Sequence, residues 1–446
     1  MRKFLKPDIT VIGGGLAGSE AAWQLAKRGI HVQLYEMRPF VQTPAHSTAQ
    51  LAEIVCSNSF GGEASTGAAG ILKAELELGA SLILECAHVS RVPAGGALAV
   101  DRERFAQLVS AHIESHSHIE VVREEITILP EGPVIIATGP LTSSAMAQTL
   151  QGLIGERYFS FFDAVAPIVT RESVNMDIAW IAGRYGRGND YINCPLDRER
   201  YSAFCEILLQ AERVVPHEFE RGMHFEKDTY FEGCMPIEVM ASRGVDTLRF
   251  GPMKPVGLPD PRTDREPYAV VQLRQDNREG TLLNLVGFQT GLKWNDQSRL
   301  IKMIPGLENT DIVRFGVMHR NIYVNAPAVL DPHLRLKHAE RDAIFLAGQI
   351  TGVEGYMEST AMGLVAGVNA ACLLQGRALP RWPRETAMGS LLHYLQDAEV
   401  KTFQPMNTNL GIFPALPQRI KDKKQKAQAV YDRALSAARA FWTGLE

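Results

Sequence analysis

A cluster of glycines near the N-terminus constrains the fold of this chain more than any other feature. Two apolar stretches, residues 8–12 and 31–35, flank an alanine-rich stretch that ends at Gly29. The first stretch leads directly into Gly13, Gly14, Gly15, Leu16, Ala17 and Gly18. The spacing GxGxxG between a strand and a helix is typical of a dinucleotide-binding βαβ unit. The sequence therefore predicts an α/β, Rossmann-like domain.

Each glycine of this turn has a physical role in such a unit. Gly13 makes the tight turn, Gly15 lets backbone N–H groups approach a pyrophosphate, and Gly18 lets the helix pack closely on the strand. The helix N-terminus then faces the phosphates with its partial positive charge. Glu36 ends the second strand, where a carboxylate accepts hydrogen bonds from ribose hydroxyls. The alternative interpretation is an ordinary glycine turn in an α/β sheet.

Two later segments favour FAD over NAD(P) as the bound dinucleotide. A buried strand at 134–137 ends in a turn at Gly139, and a strand at 343–347 ends at Gly348 and Gln349. Two-dinucleotide flavoproteins commonly return to their first domain with such a late strand, often with Asp where this chain has Gln349. We predict that Gly139, Gly348 and Gln349 contact FAD; the alternative is that both segments are plain core strands.

The pattern changes in the middle of the 446-residue chain. Short apolar stretches alternate there with Pro and Gly, which is typical of an α+β region. We predict an FAD-binding domain in two parts, 1–192 and 326–446, around an insertion domain at 193–325. The second part is expected to end in one amphipathic helix over 416–442.

The six cysteines are scattered and form no CxxC pair. This argues against a disulfide framework, a zinc ribbon and a thioredoxin-type centre, and favours a reducing cytoplasm. Cys56 lies among small and polar residues, and Cys234 lies in the predicted insertion. Each is either a reactive thiol or a small buried side chain. Cysteines 86, 205 and 372 lie in apolar helical patterns and are interpreted as buried. We expect no metal site, no signal peptide and no transmembrane helix.

The predicted C-terminal helix begins with a run of basic residues. They are Arg419, Lys421, Lys423, Lys424 and Lys426. The formal net charge of −4 gives no hint of a nucleic-acid partner, but a local basic patch is compatible with an acidic protein. The run is either the solvated face of a packed helix or a stripe that contacts RNA phosphates.

Several segments together resemble one known family. They are 12–23, 35–39, 56–59, 92–98, 231–240, 316–321 and 351–359. In combination they are similar to the folate- and FAD-dependent tRNA uracil-5 methyltransferases (TrmFO), the smaller relatives of the MnmG/GidA family. The resemblance covers nearly the whole chain. One departure is visible: many members carry a basic residue where this chain has Gly61.

The resemblance implies an activity and roles for individual residues. It implies that uridine 54 of the tRNA T-loop is methylated, with 5,10-methylenetetrahydrofolate as carbon donor and FAD with NADPH or NADH as reductant. Cys56 would add to uracil C6 and Cys234 would assist, or the order is reversed. Tyr356 and Glu354 would move protons or position folate. The predicted FAD contacts also include residues of the resembling segments, namely Gly14, Leu16, Ala17, Arg38, Gly352 and Val353.

Three alternatives stay open at this point. One is an MnmG-like, FAD-dependent modifier of wobble uridine, another is a non-catalytic tRNA-binding flavoprotein, and the third is a generic flavin oxidase or reductase. The expected partners are tRNA, through its T-arm, and folate. No membrane and no obligatory protein partner is expected.

Overall fold

The computed structural model describes residues 7–43, 45–155, 158–164, 166–213, 235–277, 280–316, 318–337, 343–401, 403–418 and 420–445. Within these ranges the helices are α1 (Leu16–Ala26), α2 (Ala68–Leu78), α3 (Leu82–Val89), α4 (Arg102–Ser115), α5 (Ser144–Ile154), α6 (Arg198–Gln210), α7 (Ile237–Ser242), α8 (Thr247–Phe250), α9 (Trp294–Lys302), α10 (Ala326–Val329), α11 (Tyr356–Leu374), α12 (Ala387–Asp397) and α13 (Lys423–Leu445). The strands are β1 (Ile9–Ile12), β2 (Val32–Glu36), β3 (Ser59–Gly62), β4 (Arg91–Val92), β5 (Ala97–Val100), β6 (Ile119–Arg123), β7 (Val134–Ile136), β8 (Tyr158–Ala164), β9 (Ile168–Thr170), β10 (Trp180–Ile181), β11 (Tyr191–Leu196), β12 (Ala269–Gln275), β13 (Leu282–Leu285), β14 (Ile312–Arg314), β15 (Met318–Val324) and β16 (Ile344–Leu346).

A parallel sheet of order β16-β7-β1-β2-β6 forms the first unit. All four residues of β1 are buried, as expected for a parallel strand with helices on both faces. Helix α11 packs on α1 along small residues, and a Cβ at Gly363 would lie 2.3 Å from the carbonyl oxygen of Ala17. The predicted α/β, Rossmann-like architecture is confirmed, and its sheet order brings β7 and β16 beside the glycine turn.

A mixed second unit is built around an antiparallel sheet of order β10-β11-β12-β13-β9-β14. Its own apolar core runs from Val169 to Leu307. The sequence placed the start of the insertion at residue 193, which falls inside strand β11. The sheet and the apolar core of the second unit both include β9, so this unit begins at β9, well before residue 193.

Two antiparallel strands join the units. Strand β8 enters the second unit and pairs along its whole length with β15, which leaves it. A three-stranded sheet of order β3-β5-β4 lies between the Cys56 segment and helix α4. These connections bring the middle of the chain close to the glycine turn.

One helical prediction needs correction. The C-terminal helix begins at Lys423 and not at residue 416, and it packs through Ala427, Val430, Ala434 and two further buried residues, Leu435 and Ala438.

The apolar stretch from 71 to 84 is divided between α2 and α3. Ala80 takes a positive φ of 49°, and Ser81 caps α3 by accepting the Leu84 N–H. The backbone reversal ends α2, and the side-chain cap begins α3.

Helix α11 is the one helix of the described ranges that is long and apolar enough to cross a membrane. Of its most apolar window, 83% is buried inside the fold. The helix lies against α1 and the parallel sheet, so core packing accounts for its composition.

Candidate active site

The glycine turn after β1 is shaped by close backbone contacts. Gly13 has φ +101°, and a Cβ there would lie 2.5 Å from the carbonyl oxygen of Ala137. A Cβ at Gly18 would lie 1.8 Å from the carbonyl oxygen of Gly13. A Cβ at Gly15 would meet no atom of the described residues within 4 Å. Gly13 and Gly18 are therefore required by the fold, whereas Gly15 leaves space for something other than protein.

Glu36 ties the turn to the end of β2. One oxygen accepts the Gly14 N–H at 2.9 Å, and the other accepts the backbone N–H and the Nε–H of Arg38 at 3.0 and 2.8 Å. Arg38 is buried and also pairs with Glu53 at 3.0 Å. Burial alone would raise the pKa of Glu36, but the bonds from Arg38 and Gly14 outweigh it and lower the pKa below its ordinary value. The carboxylate is therefore held ionised beside the turn.

A cleft with about 1110 Å³ of empty space, open solvent included, runs along this turn. It is lined by Gly13, Gly15, Leu16, Ala17, Glu36, Arg38, Gly139, Gln349, Cys56 and Tyr356, among others. The cleft thus joins the predicted dinucleotide site to one of the predicted thiols. The open space beside Gly15, at the N-terminus of α1, is where a pyrophosphate would lie in such a cleft.

Of the residues after β16 that were predicted to contact FAD, only some line the cleft. Gly348 has φ +83° and packs against Ala17, where a Cβ would come within 2.6 Å of the Ala17 Cβ. Gln349 lines the cleft and donates to Glu354 at 2.9 Å. Gly352 lies against Phe403. Gln349 is thus the residue that reaches the cleft, with Glu354 behind it.

Two other predicted contacts, Gly14 and Val353, also lie outside the cleft lining. The Gly14 N–H is directed at Glu36, and Val353 is fully buried in a bridge to Met406. Both residues therefore shape the walls of the cleft from behind.

Cys56 faces Tyr356 at the other end of the cleft. Its sulfur lies 2.8 Å from the Tyr356 hydroxyl oxygen. That oxygen also accepts the backbone N–H groups of Cys56 and Ser57 at 3.0 and 3.2 Å. Since these two bonds use both lone pairs, the phenolic proton is the one left to bridge to the sulfur. Burial raises the pKa of Tyr356 well above its ordinary value, so the phenol keeps that proton.

The backbone around Cys56 is held by two arginines, of which Arg274 is buried and Arg102 half-buried. Arg102, at the start of α4, donates to the carbonyl oxygens of Ile54 and Val55 at 3.1 and 3.2 Å and pairs with Asp276 of the second unit. Arg274 of β12 donates to the Ser57 hydroxyl at 3.0 Å. The Cys56 segment is therefore clamped between both units of the molecule, beside two positive charges.

Asn58 completes this clamp. Its oxygen accepts from Arg274 at 2.9 Å, and its amide donates to the carbonyl oxygens of Val100 and Gln275 at 3.1 and 2.9 Å. Asn58 is fully buried. The hydrogen bonds of this side chain fix the direction in which the chain leaves Cys56.

Two predicted site residues, Cys234 and Arg419, lie outside the described residues. The remaining basic residues, Lys421, Lys423, Lys424 and Lys426, are all exposed, and none of them lines the cleft. The structure thus brings Cys56, Tyr356, Glu36 and Gln349 together and leaves this lysine run on the surface.

The other described cysteines are buried, in agreement with their interpretation as small core side chains. Burial raises the pKa of Cys86 and of Cys194 to about 12, so neither ionises at neutral pH. No group of three or more metal-ligating side chains occurs in the described part of the chain. Of the described thiols, Cys56 is the one in the cleft.

Sequence reasoning missed several polar residues of the cleft. Thr43, His46 and Glu53 line it from the loop after β2, and Thr142 and Ser143 from the start of α5. Ser143 caps α5 by accepting the Met146 N–H, and a Ser before a helical pattern could have signalled that helix start. The residues after β2 lie in irregular loop and carry no comparable signal.

Comparisons with known proteins agree on one family. The family model "GIDA: Glucose inhibited division protein A" matches residues 8–378. A protein named methylenetetrahydrofolate–tRNA-(uracil-5-)-methyltransferase TrmFO from Anoxybacillus flavithermus is 56% identical over 97% of this chain and 99% of its own length. A protein of the same name from Listeria monocytogenes serotype 4b is 52% identical over 97% of this chain and 98% of its own length.

A solved structure supports the fold. The structure of Aquifex aeolicus GidA in its form II crystal aligns with 98% of this chain and 74% of the GidA chain. The TM-score is 0.68 at 16% sequence identity. At this sequence identity the similarity concerns the fold alone. The fold is that of a large flavoprotein-type α/β domain that carries an insertion.

Proposed function

This chain belongs to the TrmFO family of methylenetetrahydrofolate–tRNA-(uracil-5-)-methyltransferases, and we propose that its cleft methylates uridine 54 of the tRNA T-loop. It is a tRNA methyltransferase that uses FAD and folate. One observation gives the strongest support for this cleft as the active site. Cys56 shares the cavity with the Gly13–Gly15 turn, so a thiol and a dinucleotide site open into the same space.

The residues of the cleft fit FAD. The Gly13–Gly15 turn would hold the pyrophosphate at the N-terminus of α1, Glu36 would accept from the ribose, and Gln349 would hydrogen-bond the chain between them. When bound, FAD supplies the reducing equivalents that convert the transferred methylene to a methyl group, which no side chain can supply. We propose NADPH or NADH as the source of those equivalents.

Cys56 has the position expected of the nucleophile. Uracil C5 is a weak nucleophile, but a sulfur that bonds to C6 places an electron pair on the C5–C4 carbonyl system. C5 then attacks the one-carbon unit and loses its proton to a base, and the carrier leaves with the electron pair of its bond to that carbon. A hydride from the reductant adds to the exocyclic methylene, and expulsion of the sulfur from C6 restores the ring. Tyr356 contacts the sulfur directly, so it is placed to hold or return a proton there. We propose Cys234 as the second thiol and Glu354 as the residue that positions Gln349.

The clamp around Cys56 defines how the target base would enter. Arg102 and Arg274 fix the thiol-bearing backbone, and Cys56 is half-buried in the wall of the cleft. A uridine within a stacked loop cannot reach such a sulfur, so it must turn out of the stack. We propose that the T-arm binds over this opening and that the exposed lysines of α13 contact its phosphates.

The MnmG-like alternative is supported by the shared family model and fold alone. Identity of 52–56% to proteins named TrmFO over nearly the whole chain favours the uracil-5 methyltransferase. We further propose a cytoplasmic location without an obligatory protein partner. The described cysteines are all free, which suits a reducing compartment.

The test is methyl transfer to an unmodified tRNA transcript with methylenetetrahydrofolate, FAD and NADPH, read as 5-methyluridine by nucleoside mass spectrometry. A matched transcript with cytidine at position 54 should remain unmodified. Cys56→Ala should abolish product while retaining FAD, and Cys86→Ala should leave the rate near that of wild type because Cys86 is buried in the core. Product formation by Cys56→Ala at the wild-type rate would contradict the nucleophile assignment.

A further inference from the structure

The turn between β10 and β11 is a compact, exposed loop, residues 183–189, here called the Tyr185 loop. The Gly183 N–H donates to the carbonyl oxygen of Gly188 at 2.7 Å and closes the loop. Tyr185 itself has a positive φ of 58°. L side chains adopt this conformation rarely, and such residues persist where the surrounding structure fixes them, often at functional sites.

Arg184 anchors the loop from below. Its guanidinium donates to the carbonyl oxygens of Val256 and Lys254 at 2.7 and 2.8 Å and to Gln272 at 2.9 Å. The Tyr185 N–H donates to the carbonyl oxygen of Gly257 at 2.8 Å. The Tyr185 ring lies so close over Gly257 that a Cβ there would be 2.8 Å from it. The loop is therefore held rigidly, and the charge of Arg184 is used for positioning.

The anchored loop presents an aromatic ring and one cation to solvent, and a second cation, Lys254, belongs to the segment that Arg184 contacts. Tyr185 is 66% exposed. Arg187 and Lys254 are exposed and make no ion pair with any residue that the structure describes. A fixed aromatic ring beside free cations is the arrangement with which proteins bind unpaired bases and their phosphates.

Two carboxylates lie near the loop, and both accept backbone N–H groups. Asp190 accepts from Gly95 at 2.7 Å, and Glu266 accepts from Gly257 at 2.6 Å. The Asp190 bond fastens the chain directly after the loop, and the Glu266 bond fixes Gly257, over which the Tyr185 ring lies. Tyr185 and Arg187 remain exposed on the loop.

The loop is connected to the Cys56 segment through two sets of contacts. Tyr191, the first residue of β11, lies opposite Arg274 of β12, and Arg274 donates to the hydroxyl of Ser57, which adjoins Cys56. Asp190, directly after the loop, accepts from Gly95 beside β5, and β5 pairs with β3, which follows Cys56 in the chain. The end of the loop is therefore tied to the backbone that carries the thiol.

We propose that the Tyr185 loop binds the RNA substrate outside the cleft, with the Tyr185 ring stacked on an unpaired base and Arg187 and Lys254 at the neighbouring phosphates. This inference rests on the proposed function, since it takes tRNA as the substrate. It assigns recognition to the second unit of the molecule, in addition to the lysines of α13.

The experiment compares tRNA binding by the FAD-loaded full-length chain and its variants over a series of salt concentrations. Tyr185→Ala should raise the Kd about tenfold without changing the salt slope, because it removes stacking, and Tyr185→Phe should restore wild-type affinity. Arg187→Ala should weaken binding and reduce the slope of log K against log salt by about one. The matched control is Arg198→Ala, an exposed arginine at the start of α6.

The outcomes separate the loop from the proposed function. Methyl transfer by wild type together with unchanged Kd and slope in Tyr185→Ala and Arg187→Ala would overturn the loop assignment and leave the activity standing. Loss of binding in these variants without any methylation by wild type would support the loop and contradict the activity. If Tyr185→Phe raised the Kd as much as Tyr185→Ala, stacking would be contradicted. Unchanged flavin content in the variants serves as the control that the cleft is intact.

Discussion

The Tyr356 hydroxyl oxygen lies 2.8 Å from the sulfur of Cys56, although 300 positions separate the two residues in sequence. The same oxygen accepts two backbone N–H groups from the Cys56 segment. One side chain thus both fixes the loop and contacts the thiol. Because Tyr356 begins α11, the thiol is positioned by the helix that forms the centre of the first core.

We expect Tyr356→Phe to reduce methyl transfer by about 100-fold while FAD stays bound. The substitution removes the proton-bearing group at the sulfur, and positioned acid–base groups contribute about this much. It also leaves two N–H groups without their acceptor, which costs about 1–3 kcal/mol of stability. The measurements are the single-turnover rate, the flavin spectrum and the unfolding midpoint. Tyr394→Phe, whose hydroxyl donates to the Gln404 carbonyl oxygen, is the control; equal losses in both variants would argue against a specific role.

Two substitutions in the glycine turn should distinguish its role in folding from its role in FAD binding. Gly15→Val should yield a folded protein without flavin, since a side chain there meets no described protein atom and extends into the cleft. Gly18→Val should fail to fold normally, because its Cβ would lie 1.8 Å from a backbone oxygen. Circular dichroism and the ratio of flavin to protein absorbance distinguish the two. Normal flavin content in Gly15→Val would place the pyrophosphate elsewhere.

The buried carboxyl group of Glu75 should make the free energy of unfolding depend on pH. It is buried and accepts the N–H groups of Ala387 and Met388 at the start of α12, and burial raises its pKa from 4.5 to about 8. The folded state therefore binds a proton that the unfolded state has lost between these values. Its contribution to stability is fully present below pH 4.5 and is lost as pH rises toward 8, by up to about 1.4 kcal/mol per pH unit.

The matched variant for this effect is Glu75→Gln, which keeps one acceptor and cannot ionise. The difference in unfolding free energy, wild type minus variant, should fall as pH rises from 5 to 8 and then level off. Urea unfolding at several pH values measures it. A difference that rises with pH over this range would mean that the two N–H groups at the helix start stabilise the ionised carboxylate more than burial destabilises it.

The lysines at the start of α13 should contribute to tRNA affinity through charge alone. Lys423→Glu combined with Lys424→Glu should weaken binding several-fold and lower the salt slope by about two, because two phosphate contacts are lost. The exposed Arg439→Glu, far along the same helix, controls for a general change in charge. Binding titrations at four or more salt concentrations give the slope. An unchanged slope in the double variant would remove these lysines from the interface.

Much of the first unit follows from local sequence. The turn at Gly13 requires a positive φ of 101°, and a Cβ at Gly18 would lie 1.8 Å from the carbonyl oxygen of Gly13. Both requirements act over a few residues and can therefore be recognised in the sequence. The strand–helix–strand order, the α/β class and the carboxylate at Glu36 could all be predicted for this reason.

The sequence was less informative about boundaries. The end of α2 depends on Ala80 adopting a positive φ, and the start of the second unit depends on β9 pairing with β13 and β14. The start of α13 likewise reflects which residues find a packing surface, since burial within that helix begins only at Ala427. Each of these outcomes depends on partners far away in the chain, and hydrophobic pattern does not specify them.

The amino-acid sequence by itself determined that this protein has a dinucleotide-binding α/β domain and contains a thiol in a polar, glycine-rich segment. Only the tertiary structure decided that this thiol, Cys56, faces Tyr356, that Arg102 and Arg274 clamp its backbone, and that Gln349 reaches the cleft whereas Gly352 and Val353 do not. The physical reason is the distance in sequence over which each kind of interaction acts. Backbone sterics act between neighbours, whereas a site assembled from residues 56, 102, 274 and 356 exists only after both cores have packed and fixed the distances between their side chains.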